Sequence, residues 1–244
     1  MERLIYRIEH FDNVGSTNDL LKSRAKHGES EGLVIWADSQ STGRGRLGRS
    51  FYSPESGLYF SLLLRPCTSP QKSLYITAAA GVAVCRAIEK VTGISTGIKW
   101  VNDIFADGKK ICGILAESAA ASESELSFVV LGIGVNIYNN EFPGELRAIA
   151  GSLFKEKPSV DFRKKLLYAI LEEFSEIYSS EDNRAFADEY RKRSVLTGKH
   201  VYAVRGDSRR AVDVIGINDE LKLVVKDENG REFTLHDGEV SIRF

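Results

Sequence analysis

Residues 40–49, QSTGRGRLGR, set three glycines and three arginines between two apolar runs, LVIWAD at 33–38 and LYFSLLL at 58–64. Apolar runs of that length suit strands buried in a core. A chain patterned this way has to build two core strands and still carry a long, polar loop between them. Glycine frees the backbone and arginine brings a fork of cationic donors, so Arg44, Arg46 and Arg49 can close around a phosphate or a carboxylate.

Gly43, Gly45 and Gly48 also satisfy GxGxxG. A dinucleotide fold needs a helix opening at the third glycine to hold the pyrophosphate. Here Phe51-Tyr52-Ser53-Pro54 follows and breaks helix. The plainer readings are an exposed basic loop or a contact to nucleic-acid phosphate. Charge opposes the latter: 33 Lys and Arg stand against 34 Asp and Glu, a formal net charge of -1, so no global positive field draws the chain to nucleic acid or anionic membrane.

Residues 2–9 read as a first strand. Ser16 and Asp19 have capping-box spacing ahead of the helical LLKSRAKHG, which Gly28 closes. Residues 71–91 carry apolar positions at helical spacing. Residues 98–106 and 110–118 form the arms of a hairpin about the Asp107-Gly108 turn. Residues 126–137 give another buried strand, and 162–178 an amphipathic helix. Beyond about Leu196 the texture changes to HVYAVR, RAVDVIGI, ELKLVVKD and REFTLH, short alternating strands separated by Asn-Asp, Asn-Gly and Asp-Gly turns. These patterns predict a mixed α+β domain at 1–190 and a small all-β barrel at 195–244, packed together without a flexible linker.

Cys67, Cys85 and Cys112 are odd in number and never in a CxxC pair, which favours reduced thiols over a disulfide framework or a zinc knuckle. His10, His27, His200 and His236 show no HxH or HExxH spacing. No GxSxG elbow offers an acyl-enzyme nucleophile. The N-terminus lacks the apolar core of a leader, and no stretch reaches the roughly 18 apolar residues of a membrane span, so a cytoplasmic protein with no membrane partner is expected.

GRGRLGR with Gln40 before it resembles the signature loop of biotin protein ligases, and further segments match that family in order and spacing. Ser16-Thr17-Asn18 resembles its STN, Lys99-Trp100-Val101-Asn102-Asp103 its KWPND, Lys110 to Leu115 its KLxGIL-like strand, and Gly132 to Asn136 its GxGxN strand end. The match covers nearly the whole chain. It implies an α+β, mixed-sheet catalytic domain of the biotin/lipoate ligase type with a C-terminal SH3-like barrel. The implied reaction joins biotin and ATP, with Mg2+, into biotinyl-5'-AMP and passes the biotin to one lysine of a biotin carboxyl carrier protein or domain of a biotin-dependent carboxylase.

The resemblance implies roles residue by residue. Ser16, Thr17, Asn18, Gln40, Arg44, Gly45, Arg46, Lys110 and Gly113 would bind biotin; Lys110 and Arg46 would also be catalytic. Gly43, Arg46, Arg49, Phe51, Lys99, Asn102, Asp103 and Asn136 would take the nucleotide, with Asp103 toward Mg2+ and Phe51 in the place where relatives stack a Trp on adenine. Neutral Ser, Thr, Asn and Gln suit a ureido ring without burying an unpaired charge. Each position has an ordinary structural alternative. Ser16 to Asn18 could simply cap a helix, Lys110 could be a solvated hairpin residue, and Asn102 and Asp103 are favoured in turns anyway.

Two departures stand out. Val101 replaces the family's Pro, which loosens the fixed φ there. Residues 1–15 leave no room for the helix-turn-helix of relatives that double as repressors, so no DNA partner is expected. A homodimer stays open. The rival readings are a lipoate or octanoyl ligase of the same superfamily, against which the arginine-rich loop argues, and a nucleic-acid module gripping a strand with its barrel.

Overall fold

The computed structural model describes residues 3–66, 73–122, 126–139, 141–180, 184–205, 207–235 and 241–243. Cys67, His236 and the Asp-Gly turn at 237–238 lie outside the described residues. Seven strands, β1 (Arg7–Val14), β2 (Leu33–Gln40), β3 (Gly57–Leu64), β4 (Gly97–Lys99), β5 (Asp103–Ala106), β6 (Lys109–Ala120) and β7 (Leu126–Asn136), form one sheet in the order β1-β2-β3-β7-β6-β5-β4. β1 runs parallel to β2 and the other neighbours are antiparallel.

Strand alternation decides the layering. Val34, Leu58, Phe60, Leu62 and Leu64 enter a core beneath α2 (Ser73–Thr92) and α4 (Arg163–Ser179), whereas Leu33, Ile35 and Leu63 face α1 (Thr17–Lys26). The near-continuous apolar run of β3 is therefore buried on both faces. α1 packs on β2, β3 and β7 but is short, so farther along β6 and β7 the same face stays open. Its start is fixed by Ser16, whose Oγ accepts the Asp19 N–H at 3.4 Å. The reciprocal half of a capping box is not made, because the Asp19 carboxylate turns to Lys22 and Arg44. Gly28, at φ +87°, ends the helix as expected.

Some expectations need correction. The first strand is Arg7–Val14 and not 2–9. Upstream of it the Leu4 N–H donates to Ser175 Oγ and the Tyr6 hydroxyl to the Leu171 carbonyl, so the apolar alternation there reflects packing on α4 rather than pairing in the sheet. The hairpin arm at 98–106 is broken into β4 and β5, which pair with each other, Lys99 opposite Asp103. The break falls where Trp100 and Val101 plunge into the core: the Trp100 indole donates to the Leu221 carbonyl at 2.9 Å and the Val101 carbonyl accepts from the Tyr190 hydroxyl at 2.8 Å. The Trp100–Val101 peptide is cis. Two helices lie where none was expected from sequence, the single-turn α3 (Leu146–Ile149) and the amphipathic α5 (Arg184–Lys192).

The C-terminal strands β8 (His200–Arg205), β9 (Ser208–Ile217), β10 (Leu223–Lys226), β11 (Glu232–Leu235) and β12 (Ser241–Arg243) make an antiparallel sheet in the order β11-β10-β9-β8-β12. Among the described residues no pairing joins β11 to β12, so the expected barrel stands here as a five-stranded sheet. Its core side chains, Val201, Val212, Val214, Leu223 and Val225 among them, merge with the core under α2 and α4. Arg191, 2.7 Å from Asp219, and the Tyr75 hydroxyl, which donates to the Asp219 carbonyl at 2.8 Å, join α5 and α2 to the turn between β9 and β10. Tyr190 is fully buried. Tyr190→Phe leaves the Val101 carbonyl without its donor and should lower unfolding free energy by about 1–3 kcal/mol, read from urea denaturation.

Candidate active site

The open stretch of the sheet is paved with glycine. Alternation in LSFVVLGIGVN sends Val129, Leu131, Ile133 and Val135 into the core and leaves Gly132, Gly134 and Asn136 on the other face. Gly134 pairs with Gly113 of β6 and Tyr59 of β3; Gly132 pairs with Leu115 and Ser61. A Cβ at Gly132 would lie 2.1 Å from Asn18 Oδ1, and one at Gly134 would lie 2.6 Å from the Phe51 ring. These glycines therefore let α1 and the loop settle onto the strands. Gly132→Ala should displace Asn18 and cost about 1–3 kcal/mol of stability, measurable by chemical denaturation.

Above this floor is a cavity of about 980 Å³. One end is neutral and polar. The Thr17 N–H donates to Gln40 Oε1 at 2.9 Å, Gln40 Nε2 donates to Ser53 Oγ at 2.9 Å, and Ser61 Oγ lies 2.8 Å from Thr17 Oγ1 and 2.6 Å from Asn18 Oδ1. Asn18 Nδ2 donates to Glu117 Oε2 at 2.8 Å and to the Leu115 carbonyl at 3.3 Å. Ser16, Thr17 and Asn18 are buried, and the bonds from Ser61 to Thr17 and Asn18 are sheltered from competing water, while those to Gln40 and Glu117 are half-buried.

The loop folds over the cavity as a small hairpin. The Phe51 N–H donates to the Gly43 carbonyl at 2.8 Å, the Gly45 N–H to the Arg49 carbonyl at 2.7 Å, and a 3-10 turn spans Arg46–Gly48. No α-helix opens at Gly48, so the dinucleotide reading fails on geometry as it did on sequence. Arg44 is anchored outward at the neck, 2.7 Å from Asp19 and 3.4 Å from Glu117. Burial acts to raise the Asp19 pKa, but Lys22 and Arg44 prevail and hold its carboxyl below the ordinary value of 3.8. Arg46 Nη1 donates to Asn102 Oδ1 at 3.2 Å, tying the loop to the β4–β5 turn.

The other end of the cavity is charged. Lys110 Nζ lies 2.6 Å from Asp103 Oδ1 and 5.9 Å from the centre of the Phe51 ring. Phe51 lies against Gly113 and Gly134, edge-on to Tyr59. Lys99 lies over Phe105, and Asn136 Nδ2 donates to the Gly151 carbonyl at 2.9 Å. Asp103 and Glu145 are the carboxylates lining the cavity, and the one described triad of potential metal ligands, His10, Asp12 and Asp38, is elsewhere. One or two carboxylates suit a Mg2+ that arrives on substrate phosphates and keeps its waters.

All the sequence-predicted residues line the cavity except Gly43, which sits at the loop's neck. Its hypothetical Cβ would meet the Phe51 carbonyl at 2.4 Å, so its role is to let the loop strands close. Sequence reasoning missed Ser53, Ser61 and Glu117, and the apolar wall of Phe142, Leu146 and Ile149. Glu117 had a signal: it is in register with Gly113 and Leu115 on the site face of β6. Cys85 and Cys112 are buried, and burial pushes both thiols up, Cys85 to about 11, so neither is poised as a nucleophile.

Residues 11–136 match the model of the Biotin/lipoate A/B protein ligase family. The chain is 43% identical over 155 residues to the bifunctional ligase/repressor BirA of Bacillus subtilis, covering 62% of this chain and 46% of that protein. It thus spans about half the length of the first relatives it matches. It is 32% identical over 238 residues to the biotin–[acetyl-CoA-carboxylase] ligase of Mycobacterium tuberculosis, covering 93% of this chain and 85% of that one. In three dimensions it resembles a biotin protein ligase from Aquifex aeolicus solved with biotin and ATP, with a TM-score of 0.82 at 28% identity over 98% of this chain and 99% of that one.

Proposed function

This chain belongs to the Biotin/lipoate A/B protein ligase family, and on that premise we propose that it is an ATP-dependent biotin protein ligase. Biotin's carboxylate attacks the α-phosphorus of ATP, forming biotinyl-5'-AMP and releasing diphosphate. The ε-amine of an acceptor lysine then attacks the acyl carbon, AMP leaves, and the amine gives up a proton. The acceptor is a biotin carboxyl carrier protein or domain of a carboxylase, and the reaction takes place in the cytoplasm. We also read a division into a catalytic unit at 1–190 and an SH3-like barrel at 195–244.

The observation that carries the reading is the polarity gradient along one cavity: a neutral hydrogen-bonding strip of buried Thr17 and Asn18 with half-buried Gln40 at one end, Lys110 and Arg46 toward the other. A ureido ring satisfies the neutral strip. Lipoate's dithiolane offers neither N–H nor carbonyl and would leave those buried groups unpaired, a mismatch that costs binding far more than a missing methylene does. The valeryl chain then runs along the cavity beside the Phe51 ring, which rests on Gly113 and Gly134, and the carboxylate reaches Lys110.

Two anions meet at the reacting centre, so the residues act by positioning and by charge rather than as a covalent nucleophile. Lys110 would hold the carboxylate and the α-phosphate together, released from Asp103 as ligand arrives. Asp103 would hold Mg2+, which would supply charge neutralisation on the triphosphate. Phe51, Asn102 and Asn136 would hold the nucleotide, and Arg49 and Lys99 would meet its phosphates. Thermal unfolding tests the reading: biotin with Mg-ATP should raise the melting temperature far above either alone, because a tightly held adenylate binds only the folded state. An equal or larger shift with lipoate and Mg-ATP would transfer the assignment to the lipoate-ligase reading.

A further inference from the structure

Glu117 is outside every motif that drew attention to the site, yet it joins the neutral strip to the loop's neck. One carboxylate oxygen, Oε2, accepts from Asn18 Nδ2 at 2.8 Å. The other, Oε1, faces two cations, Lys22 at 2.8 Å and Arg44 at 3.4 Å. We propose that Glu117 sets the direction of the hydrogen-bond chain along the biotin-recognition strip, so that the strip presents acceptors to the ligand's two ureido N–H groups; this rests on the biotin reading above.

The argument is a count of hydrogens. Ser61 Oγ faces Thr17 Oγ1 and Asn18 Oδ1, and Thr17 Oγ1 faces Ser61 Oγ and, at 3.1 Å, Gln40 Oε1. Each hydroxyl has a single hydrogen to place. A carboxylate only accepts, so the Asn18 amide must turn its NH2 toward Glu117 and its oxygen toward Ser61. The Ser61 hydrogen then goes to Asn18 Oδ1, and the Thr17 hydrogen closes the shorter contact, 2.8 Å to Ser61 rather than 3.1 Å to Gln40, which leaves Thr17 Oγ1 and Gln40 Oε1 facing each other as acceptors with no hydrogen between them until a ligand N–H supplies one. Thr17 Oγ1 keeps its lone pairs, and Gln40 Oε1, taking only the Thr17 N–H, keeps one. Two acceptors are left beside the cavity, matching two ureido donors. With the chain reversed, the Thr17 hydrogen falls on Gln40 Oε1 and saturates it, so one acceptor is lost.

The Leu115 carbonyl pulls the Asn18 amide the same way at 3.3 Å, over a longer bond to an uncharged acceptor. The cations add the means of a test. In Glu117→Gln, Lys22 and Arg44 hold the new amide by its oxygen, which aims its NH2 at the NH2 of Asn18. Two donors cannot share that contact, so Asn18 must turn over and the chain must reverse.

Calorimetric titration should use intact protein with biotin, with a cyclic carbamate analogue in which ring oxygen replaces one ureido N–H, and with Mg-ATP alone. Wild type should prefer biotin over the carbamate by on the order of 30-fold, the worth of one buried acceptor left unpaired. In Glu117→Gln the preference should shrink to about threefold, with Mg-ATP affinity within about threefold of wild type. Lys22→Met keeps the carboxylate and should keep the wild-type preference. An unchanged preference in Glu117→Gln, or an equal loss in Lys22→Met, would overturn the polarity role and leave Glu117 an anchor for cations. Wild type that binds neither biotin nor the carbamate would overturn the biotin reading itself.

Discussion

Lys110→Ala should form biotinyl-5'-AMP about 100 to 1,000 times more slowly than wild type while keeping its fold, the loss typical of removing one preorganised charge-stabilising group. Lys110 comes from the first turn of β6, where the backbone is held independently of the side chain: its carbonyl accepts from the Gly151 N–H at 2.9 Å. Its side chain is about 28% exposed, and its ammonium pairs with Asp103 beside the Phe51 ring. Truncation therefore removes a cation from the cavity and leaves the sheet intact. Diphosphate release measures the rate and circular dichroism checks the fold. Release at near wild-type rate would take the role away from Lys110.

Arg46→Gly should still make adenylate but lose hold of it, so that unrelated proteins acquire biotin on surface lysines. The adenylate is a mixed anhydride that water or any stray amine can attack, and an enzyme that makes it has to shield it until the acceptor lysine arrives. Backbone bonds from Gly45 and Phe51 close the loop's hairpin, and Arg46 to Asn102 is a side-chain tie that reaches across to the β4–β5 turn. Ordering a glycine-rich loop costs roughly 1–2 kcal/mol per residue, so losing that tie and adding a fourth glycine both favour the open loop. Wild type and mutant incubated with biotin, Mg-ATP and serum albumin, then read by streptavidin blot, decide it. A mutant that makes adenylate yet labels albumin no more than wild type does would make Arg46 a binding residue only.

The parts of the fold that were legible in sequence are those governed by local physics. The cap at Ser16, the φ > 0 glycine at 28, the Asp107-Gly108 turn and the doubly buried β3 follow from nearest neighbours and alternation. What stayed hidden depends on distant partners. The β4–β5 break exists because Trp100 and Val101 find Leu221 and Tyr190, about 90 to 120 residues downstream. Leu4 and Tyr6 look like strand residues until α4 is present to receive them.

The site divides in the same way. Residues in recognisable motifs converge on one cavity, while Ser61 and Glu117 matter through contacts some 40 and 100 residues away in sequence; alternation along β6 gives the face of Glu117 but not its partner. Val101 shows the converse. In place of a proline whose ring would fix the turn, burial in the core and the Tyr190 hydroxyl of α5 hold it, a solution invisible in five residues.

Mass spectrometry of the protein incubated with biotin and Mg-ATP, in the absence of any acceptor, decides whether this chain makes the biotin adenylate. Biotinyl-5'-AMP should be retained by the protein, with one diphosphate released for each adenylate formed and no such product from lipoate. Absence of the biotin adenylate, or formation of a lipoate adenylate in its place, would contradict the biotin reading.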